Sequence, residues 1–356
     1  MKERIEKIRE ELGNNNLDGI IINHPSNRFY LSGFTGSAGT VMVTAKKAML
    51  ITDFRYTEQA QNQAPHLEIV EHDLKKMDTL NQLIAGEGLN KIGFEADFET
   101  FATVEQQLKG KIDNVEWVPT HNLVEKFRIY KSAAELSFLQ EAIDLADQAL
   151  EHICGFIKPG MAEREVALEL EFFLRKKGAK GSSFDIIVAS GPRGSLPHGI
   201  ASDKIIKEGE LVVIDMGARL NGYASDVTRT FAIGSAGEKE RKVYETVLEA
   251  QLAAIEDIKP GLSGQEADKL SRDVISAEGY GDNFGHGLGH GIGIDVHESP
   301  RLSPVSENNL EPGMVFTVEP GIYLPGWGGV RIEDIVVMEE NGVRSLTRAP
   351  KEFKII

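Results

Sequence analysis

The spacing of apolar positions changes period several times along the chain, and each change marks an element. Ile5, Ile8 and Leu12 recur at helical spacing within residues 2–13, and unbroken apolar runs follow at Gly19-Ile20-Ile21-Ile22, Val41-Met42-Val43 and Met49-Leu50-Ile51. Short runs of this kind predict strands. Amphipathic patterns over 77–86 and 101–112 predict helices, and 66–71, 91–95 and 114–118 predict further strands. Together they predict a small α/β domain with its own sheet. The pattern breaks between Pro119 and Lys131, and a long helical period then starts near Ala133 and continues to about Ile157. The expected organisation is an N-terminal domain over 1–124 and a second domain over 125–356.

The second domain carries an internal repeat. Ile157-Lys158-Pro159-Gly160 recurs as Ile258-Lys259-Pro260-Gly261, 101 residues later. Each copy follows a helical pattern (133–157 and 240–258) and precedes another (162–177 and 264–278). The second helix of each copy ends in glycine, Gly178 or Gly279, as helix C-termini prefer. This implies two α/β halves with a site between them, where ligand sites concentrate.

Composition narrows the class. A chain of 356 residues suits two domains at ~150 residues each. With 41% hydrophobic and 26% charged residues, disordered, collagen-like and coiled-coil readings drop out. No apolar run approaches the ~20 residues of a membrane span. The charged start MKERIEKIRE lacks a signal core, so a cytoplasmic protein is expected. A single cysteine, Cys154, excludes intrachain disulfides and thiolate zinc sites. The net charge of −16 argues against nucleic acid or an anionic membrane as partner. It leaves solubility, or carboxylates gathered for metals. HExxH, GxxxxGK[ST] and GxSxG are absent, so nucleotide-binding and serine-hydrolase readings lack local support.

Three segments carry candidate chemistry. In the first, Asn221-Gly222 between two β-type runs predicts a two-residue hairpin. Pairing Leu220 with Tyr223 sets Asp226 opposite Gly217 and Asp215 opposite Thr228, all on one face. The two aspartates become diagonal neighbours able to converge on one centre, with Gly217 leaving room for it. Two solvated aspartates are the plainer reading, but Asp215 ends the apolar run Leu211-Val212-Val213-Ile214, where an unpaired charge is expensive. In the second, Val315–Glu319 reads as a strand ending at Pro320 and Val330–Val337 as its return strand. There Arg331 and Glu333 share a face that Asp334 does not. A charged edge-strand gatekeeper is the alternative. The third holds His286, His290 and His297 among five glycines that disfavour helix. In an extended chain His286 and His290 lie ~13 Å apart, so one is a ligand candidate while the others suit substrate contact or structural hydrogen bonds.

Asp215, Asp226, His290, Glu319 and Glu333 together would make a site of four carboxylates and one imidazole. Mutual repulsion should raise the carboxyl pKa values, and two divalent cations would neutralise the set. Dinuclear centres of this kind generate a hydroxide nucleophile near neutral pH. Oxygen-rich ligands with one imidazole suit manganese, with cobalt, zinc or iron also compatible.

At IDMGARLNGYASDVTRT, GHGLGHGIGIDVHE, VFTVEPGIY and GVRIEDIVV the sequence resembles the pita-bread metallopeptidases. That family includes prolidase (Xaa-Pro dipeptidase), aminopeptidase P, methionine aminopeptidase and the metal-free creatinase. The resemblance implies that Asp215, Asp226, His290, Glu319 and Glu333 bind two metals, with Asp226 and Glu333 bridging. It implies that Glu319 handles the proton of the attacking water, and that His198 and His297 contact substrate and the tetrahedral intermediate. His286, Tyr323 and Arg331 would line the substrate pocket, and Thr228 would support a ligand. NRFYLSGFTGSAGT and ITDFRY resemble the extra N-terminal domain of prolidase, aminopeptidase P and creatinase, which implies a homodimer and demotes methionine aminopeptidase. The fold class expected is therefore mixed α/β: a creatinase/prolidase-type domain, then a pita-bread domain with pseudo-two-fold halves. The expected activity is hydrolysis of the Xaa-Pro bond in a proline-containing dipeptide or oligopeptide. Dipeptidase is favoured over aminopeptidase P by the compact length and short C-terminal tail. A non-catalytic peptide-binding module on the same fold is disfavoured by the intact ligand set.

Overall fold

The computed structural model describes residues 1–112 and 114–356, and the chain divides into two units, Met1–Arg128 and Ile129–Ile356. In the first unit, β1 (Gly19–Ile22), β2 (Thr40–Thr44), β3 (Ala48–Asp53), β4 (Glu68–His72), β5 (Lys91–Glu95) and β6 (Glu116–Thr120) form one mixed sheet, ordered β4-β3-β2-β1-β5-β6. Every residue of β1 and β2 is buried, which explains why they read as apolar runs rather than alternating patterns. The helix Lys2–Asn14 buries Ile5, Ile8 and Leu12, and Lys76–Glu87 buries Leu80 and Ile84.

The segment 101–112 is helical but not uniformly α. Thr103–Leu108 winds as a π-helix, with the Lys109 N–H bonded to Val104 O, before a short α turn at Lys109–Lys111. Val104, Leu108 and Ile112 recur every four residues and all pack on the core. That spacing exceeds the α-helical repeat of about 3.6, so a wider turn keeps them on one face.

Ile129–Ile356 builds one plan twice. The helices Ala133–Phe156 and Glu238–Asp257 both run into the Ile-Lys-Pro-Gly turn, and Gly160 and Gly261 both adopt φ of 92°. Each turn is tied in the same way: Gly160 N–H to Ile206 O and Gly261 N–H to Leu310 O, both 2.8 Å. The following helices, Glu163–Lys176 and Gly264–Ala277, are succeeded by Gly178 and Gly279 at positive φ. Each half has its own core. Leu145, Ile153 and Leu170 pack with Val212 and Ile214 in the first, and Val247, Ala250 and Ile275 pack with Phe316 and Val336 in the second.

The first half contributes β7 (Gly181–Ser182), β8 (Ile187–Ser190), β9 (Leu211–Met216), β10 (Ala218–Leu220), β11 (Tyr223–Ala224) and β12 (Val227–Ala232). The second contributes β13 (Gly289–Gly291), β14 (Glu298–Leu302), β15 (Val315–Val318), β16 (Gly321–Leu324), β17 (Gly328–Arg331), β18 (Asp334–Glu339) and β19 (Gly342–Ser345). Sheets β12-β9-β8 and β14-β13-β15-β18-β19 dominate the two halves. The Asn221-Gly222 turn has φ of 51° and 86°, as a two-residue type I′ turn needs. Its register is the predicted one: Leu220 pairs with Tyr223, and β9 and β12 continue it with Thr228 opposite Asp215.

The return strand expected over 330–337 is two strands. β17 pairs with β16, whereas β18 pairs with β15, in a different sheet. Pro320 has no N–H to continue the ladder beyond β15, and the partner chain breaks at the same level. Ile332 N–H reaches Pro320 O at 3.4 Å, and Glu333 N–H leaves the sheet for Thr228 O at 3.1 Å.

The duplicated turns give a test. Gly160 and Gly261 have open space around an added Cβ, so alanine is opposed only by the left-handed backbone. Gly160→Ala and Gly261→Ala should each cost ~1–2 kcal/mol, and the double variant should lose close to the sum. Chemical denaturation would show this; a large cost in only one copy would contradict the shared plan.

Candidate metal centre

β9 runs apolar until Asp215, and the hairpin register brings Asp226 back beside it. Gly217 is required for a different reason than the sequence implies. A Cβ there would lie 1.7 Å from Ser225 O and 2.2 Å from Ser183 Oγ, so the glycine admits the neighbouring backbone rather than clearing space for the centre. From the second half, Glu319 follows directly on β15, and the break between β17 and β18 turns Glu333 inward. His290 enters on β13, its flanking glycines tight against other strands: a Cβ at Gly289 or Gly291 would stand 2.0 Å from Thr317 O or Ser299 O. The His290 N–H is held by Thr317 Oγ1 and its Nδ1 faces Gly291 O, so Nε2 is the nitrogen presented. That nitrogen lies 3.3 Å from Glu319 Oε1 and 3.7 Å from Asp226 Oδ2. One ligand atom each from Asp226, His290 and Glu333 falls within 4.8 Å of the others.

The hydrogen bonds leave a distinctive residue of unused valence. Asp215 Oδ2 accepts from Arg331 Nη2 at 2.5 Å, Glu333 Oε2 from Thr228 Oγ1 at 2.7 Å, and Glu319 Oε1 from Thr317 Oγ1 at 3.0 Å. Asp215 Oδ1, Asp226 Oδ1 and Glu333 Oε1 are buried and meet no donor among the described residues. Buried carboxylate oxygens are costly unless a cation or a proton satisfies them. The donor set of carboxylate oxygens and one imidazole nitrogen thus fits divalent cations. Burial, reinforced by the surrounding carboxylates, pushes the Asp226 and Glu333 carboxyls well above their ordinary values, and burial also raises Glu319. The same burial lowers His290, which keeps its ring neutral for ligation.

The centre opens on a cavity of about 670 Å³ lined also by His198, His286, His297 and Arg331. Burial, with His290 alongside at 4.3 Å between ring centroids, lowers His297 to about 4. His286 Nε2 bonds the Tyr323 hydroxyl at 2.8 Å, and Arg331 Nη1 meets that hydroxyl at 2.8 Å. Tyr323 therefore stands behind His286 and Arg331 rather than in the lining itself.

The model of metallopeptidase family M24 matches residues 137–340, more than half the chain. The chain belongs to this family. Residues 4–130 match the creatinase/prolidase N-terminal domain. The whole is thus an N-terminal creatinase/prolidase domain followed by a pita-bread metallopeptidase domain. An Xaa-Pro dipeptidase from Bacillus anthracis is 49% identical, with a TM-score of 0.97 over 100% of this chain and 99% of that one. The Xaa-Pro dipeptidase of Pyrococcus horikoshii is 40% identical over 99% of both chains. The X-Pro aminopeptidase of Thermotoga maritima is 36% identical, with a TM-score of 0.92 over 96% of this chain and 98% of that one. The matched family is one of metallopeptidases, and the donor set above is where this chain has the groups for a divalent metal.

The cavity also contains residues that pattern reading did not single out: Phe184, Ile187, Ile200, Val296 and Arg301. They come from separate loops and strand ends with no shared period, so only the tertiary structure collects them.

Asp226→Asn keeps the shape of the centre and removes one repelling charge. A carboxyl whose folded pKa is raised contributes stability below its unfolded pKa and loses it as pH rises towards the folded pKa. Metal-free wild type should therefore lose stability above about pH 4, and the metal-free variant should melt higher at neutral pH. Manganese should raise the melting temperature of wild type far more than that of the variant. Calorimetry with and without chelator measures both; a metal-free variant that melts below wild type at neutral pH contradicts the repulsion.

Proposed function

We propose that this protein is an Xaa-Pro dipeptidase working with two divalent ions, manganese by preference. The observation that carries the reading is the convergence of three donorless buried carboxylate oxygens with the neutral His290 beside a peptide-sized cavity. In this reading Asp215, Asp226, His290, Glu319 and Glu333 would hold the ions. Ions held there would supply an acidified water and polarisation of the scissile carbonyl.

The chain's own groups do the rest. Glu319, whose carboxyl is raised by burial, accepts the proton of the attacking water and returns it to the departing proline nitrogen. His297, held neutral far below its ordinary pKa, offers an N–H to the carbonyl oxygen as charge develops there, with His198 on the same cavity wall. Arg331 and His286, tied through Tyr323, fix one side of the pocket. The water's hydroxyl ends on the acyl carbon and its hydrogen on the imino nitrogen. The bond before proline lacks an N–H and resists ordinary extended-strand recognition, so a dedicated pocket suits it.

Similarity to two Xaa-Pro dipeptidases over nearly the whole chain supports the dipeptide as substrate. Likeness to an X-Pro aminopeptidase keeps longer Xaa-Pro peptides as the second reading. The reading includes a homodimer and a cytoplasmic setting. Among the described residues no helix is long and apolar enough to cross a membrane.

Cleavage of Ala-Pro against Ala-Pro-Ala by manganese-loaded protein, beside a chelated control, is the deciding assay. Preference for Ala-Pro is expected, preference for Ala-Pro-Ala would make it an aminopeptidase, and inactivity on both would overturn the substrate class. Glu319→Ala should lower kcat by about 10²–10⁴-fold, and near-normal turnover from it would remove the proton role.

A further inference from the structure

Behind the centre, outside the lining of its cavity, lies a side chain fully accounted for by hydrogen bonds. Arg229 on β12 is 1% exposed, and each of its five N–H groups has an acceptor. Nε bonds Pro350 O at 2.9 Å; Nη1 bonds Thr228 O at 2.9 Å and Glu333 O at 2.5 Å; Nη2 bonds Asp334 Oδ1 at 2.8 Å and Ala349 O at 2.6 Å. The guanidinium thus joins three separate chain segments at one point.

The location gives this knot its meaning. Ile332 and Glu333 lie in the gap between β17 and β18, outside any strand ladder. At Glu333 the main-chain N–H goes to Thr228 O and the carbonyl is taken by Arg229, so residues 228 and 229 bracket the peptide whose side chain enters the centre. Thr228 Oγ1 meanwhile holds Glu333 Oε2. Two neighbouring residues therefore fix Glu333 at both backbone and side chain, from opposite faces of β12.

We infer that Arg229 is a positioning residue for the metal centre, and that through it the C-terminal segment Ala349–Pro350 sets the place of Glu333. This rests on Glu333 being a metal ligand. The inference adds that the ligand's geometry is held by a chain segment with no group in the site. That segment is itself secured: Lys351 Nζ bonds Asp334 Oδ2 at 2.7 Å, Tyr244 Oη donates to Lys351 O at 2.9 Å, and Lys354 O accepts from Ala232 N–H at 3.0 Å. Without the planar fork, several buried carbonyls and the Asp334 carboxylate would lose donors together. Lysine at 229 keeps the charge but cannot reproduce five fixed donors.

Arg229→Lys and Arg229→Gln are compared with Lys351→Met, which removes the other cation from Asp334 and leaves the Glu333 carbonyl alone. Manganese affinity is read by titration calorimetry, and site geometry by the visible spectrum of bound cobalt. The Arg229 variants should bind manganese about 10–100-fold more weakly with an altered cobalt spectrum. Lys351→Met should keep wild-type affinity and spectrum even where it melts lower. Arg229 variants with wild-type affinity and spectrum overturn the inference, as does an equal metal defect in Lys351→Met. Wild type that binds no divalent ion would instead overturn the metal-centre reading itself. Should the Arg229 variants fail to fold, hydrogen exchange of wild type decides. Manganese loading should slow exchange in the 346–356 peptide, and unchanged exchange there overturns the coupling.

Discussion

Four carboxylates gathered around one centre, three buried and Glu319 half-buried, cannot all remain charged without a counter-charge, and the domain Ile129–Ile356 is arranged around that constraint. Two like charges ~4 Å apart repel by ~4 kcal/mol even at an effective dielectric near 20. Several such pairs would consume the ~5–15 kcal/mol that holds a typical domain. Among the described residues Arg331 compensates one of these charges, paired with Asp215. The remainder appears as upward-displaced Asp226, Glu319 and Glu333 carboxyls and as buried oxygens with no donor. Such an arrangement is a poor way to stabilise a fold and a good way to bind cations, because their entry relieves the strain at neutral pH.

Duplication explains how the chain reaches this arrangement economically. In each half one strand ends in an acid, Asp215 after β9's apolar run and Glu319 after β15, and its partner strand is preceded by another, Asp226 before β12 and Glu333 before β18. One strand-pair design used twice thus supplies all four carboxylates. Each half also pins a cavity segment with a buried acid and an arginine. Glu163 binds Arg193 and the Ser190 and Ser202 main-chain N–H groups around His198. Asp268 binds Arg272 and Leu288 N–H, while Arg272 holds the His286 carbonyl. These anchors hold the cavity walls to the helices Glu163–Lys176 and Gly264–Ala277, so the histidines are positioned by secondary structure rather than by loop conformation alone.

Much of this was legible in the sequence, for identifiable physical reasons. A two-residue Asn-Gly turn leaves one register, so the placement of Asp215 opposite Thr228 follows from the turn alone. The Ile-Lys-Pro-Gly repeat worked because both glycines meet the same left-handed requirement. Pattern reading erred where tertiary contacts override local period. The run Val330–Val337 looks like one strand, yet its residues Ile332 and Glu333 leave the ladder for bonds to Pro320 and Thr228. Gly217 looked like room for an ion and instead admits a backbone carbonyl. Arg229 carried no signal at all, since an arginine inside Val-Thr-Arg-Thr-Phe reads as a solvent-facing strand residue until its five acceptors are known.

The histidines complete the electrostatic argument. Desolvation raises carboxyls and lowers imidazoles, so one physical cause drives Asp226, Glu319 and Glu333, and His286, His290 and His297 beside them, towards their neutral forms. His286, His290 and His297 are all lowered by burial. Neutral imidazoles add no positive charge to oppose incoming cations, and each still presents a nitrogen for ligation or an N–H for a developing oxyanion. Protonated carboxyls and divalent ions are then alternative occupants of the same oxygens. Acid favours the proton and neutral pH favours the metal, so the burial that makes the centre costly for the bare fold also ties its occupancy to pH.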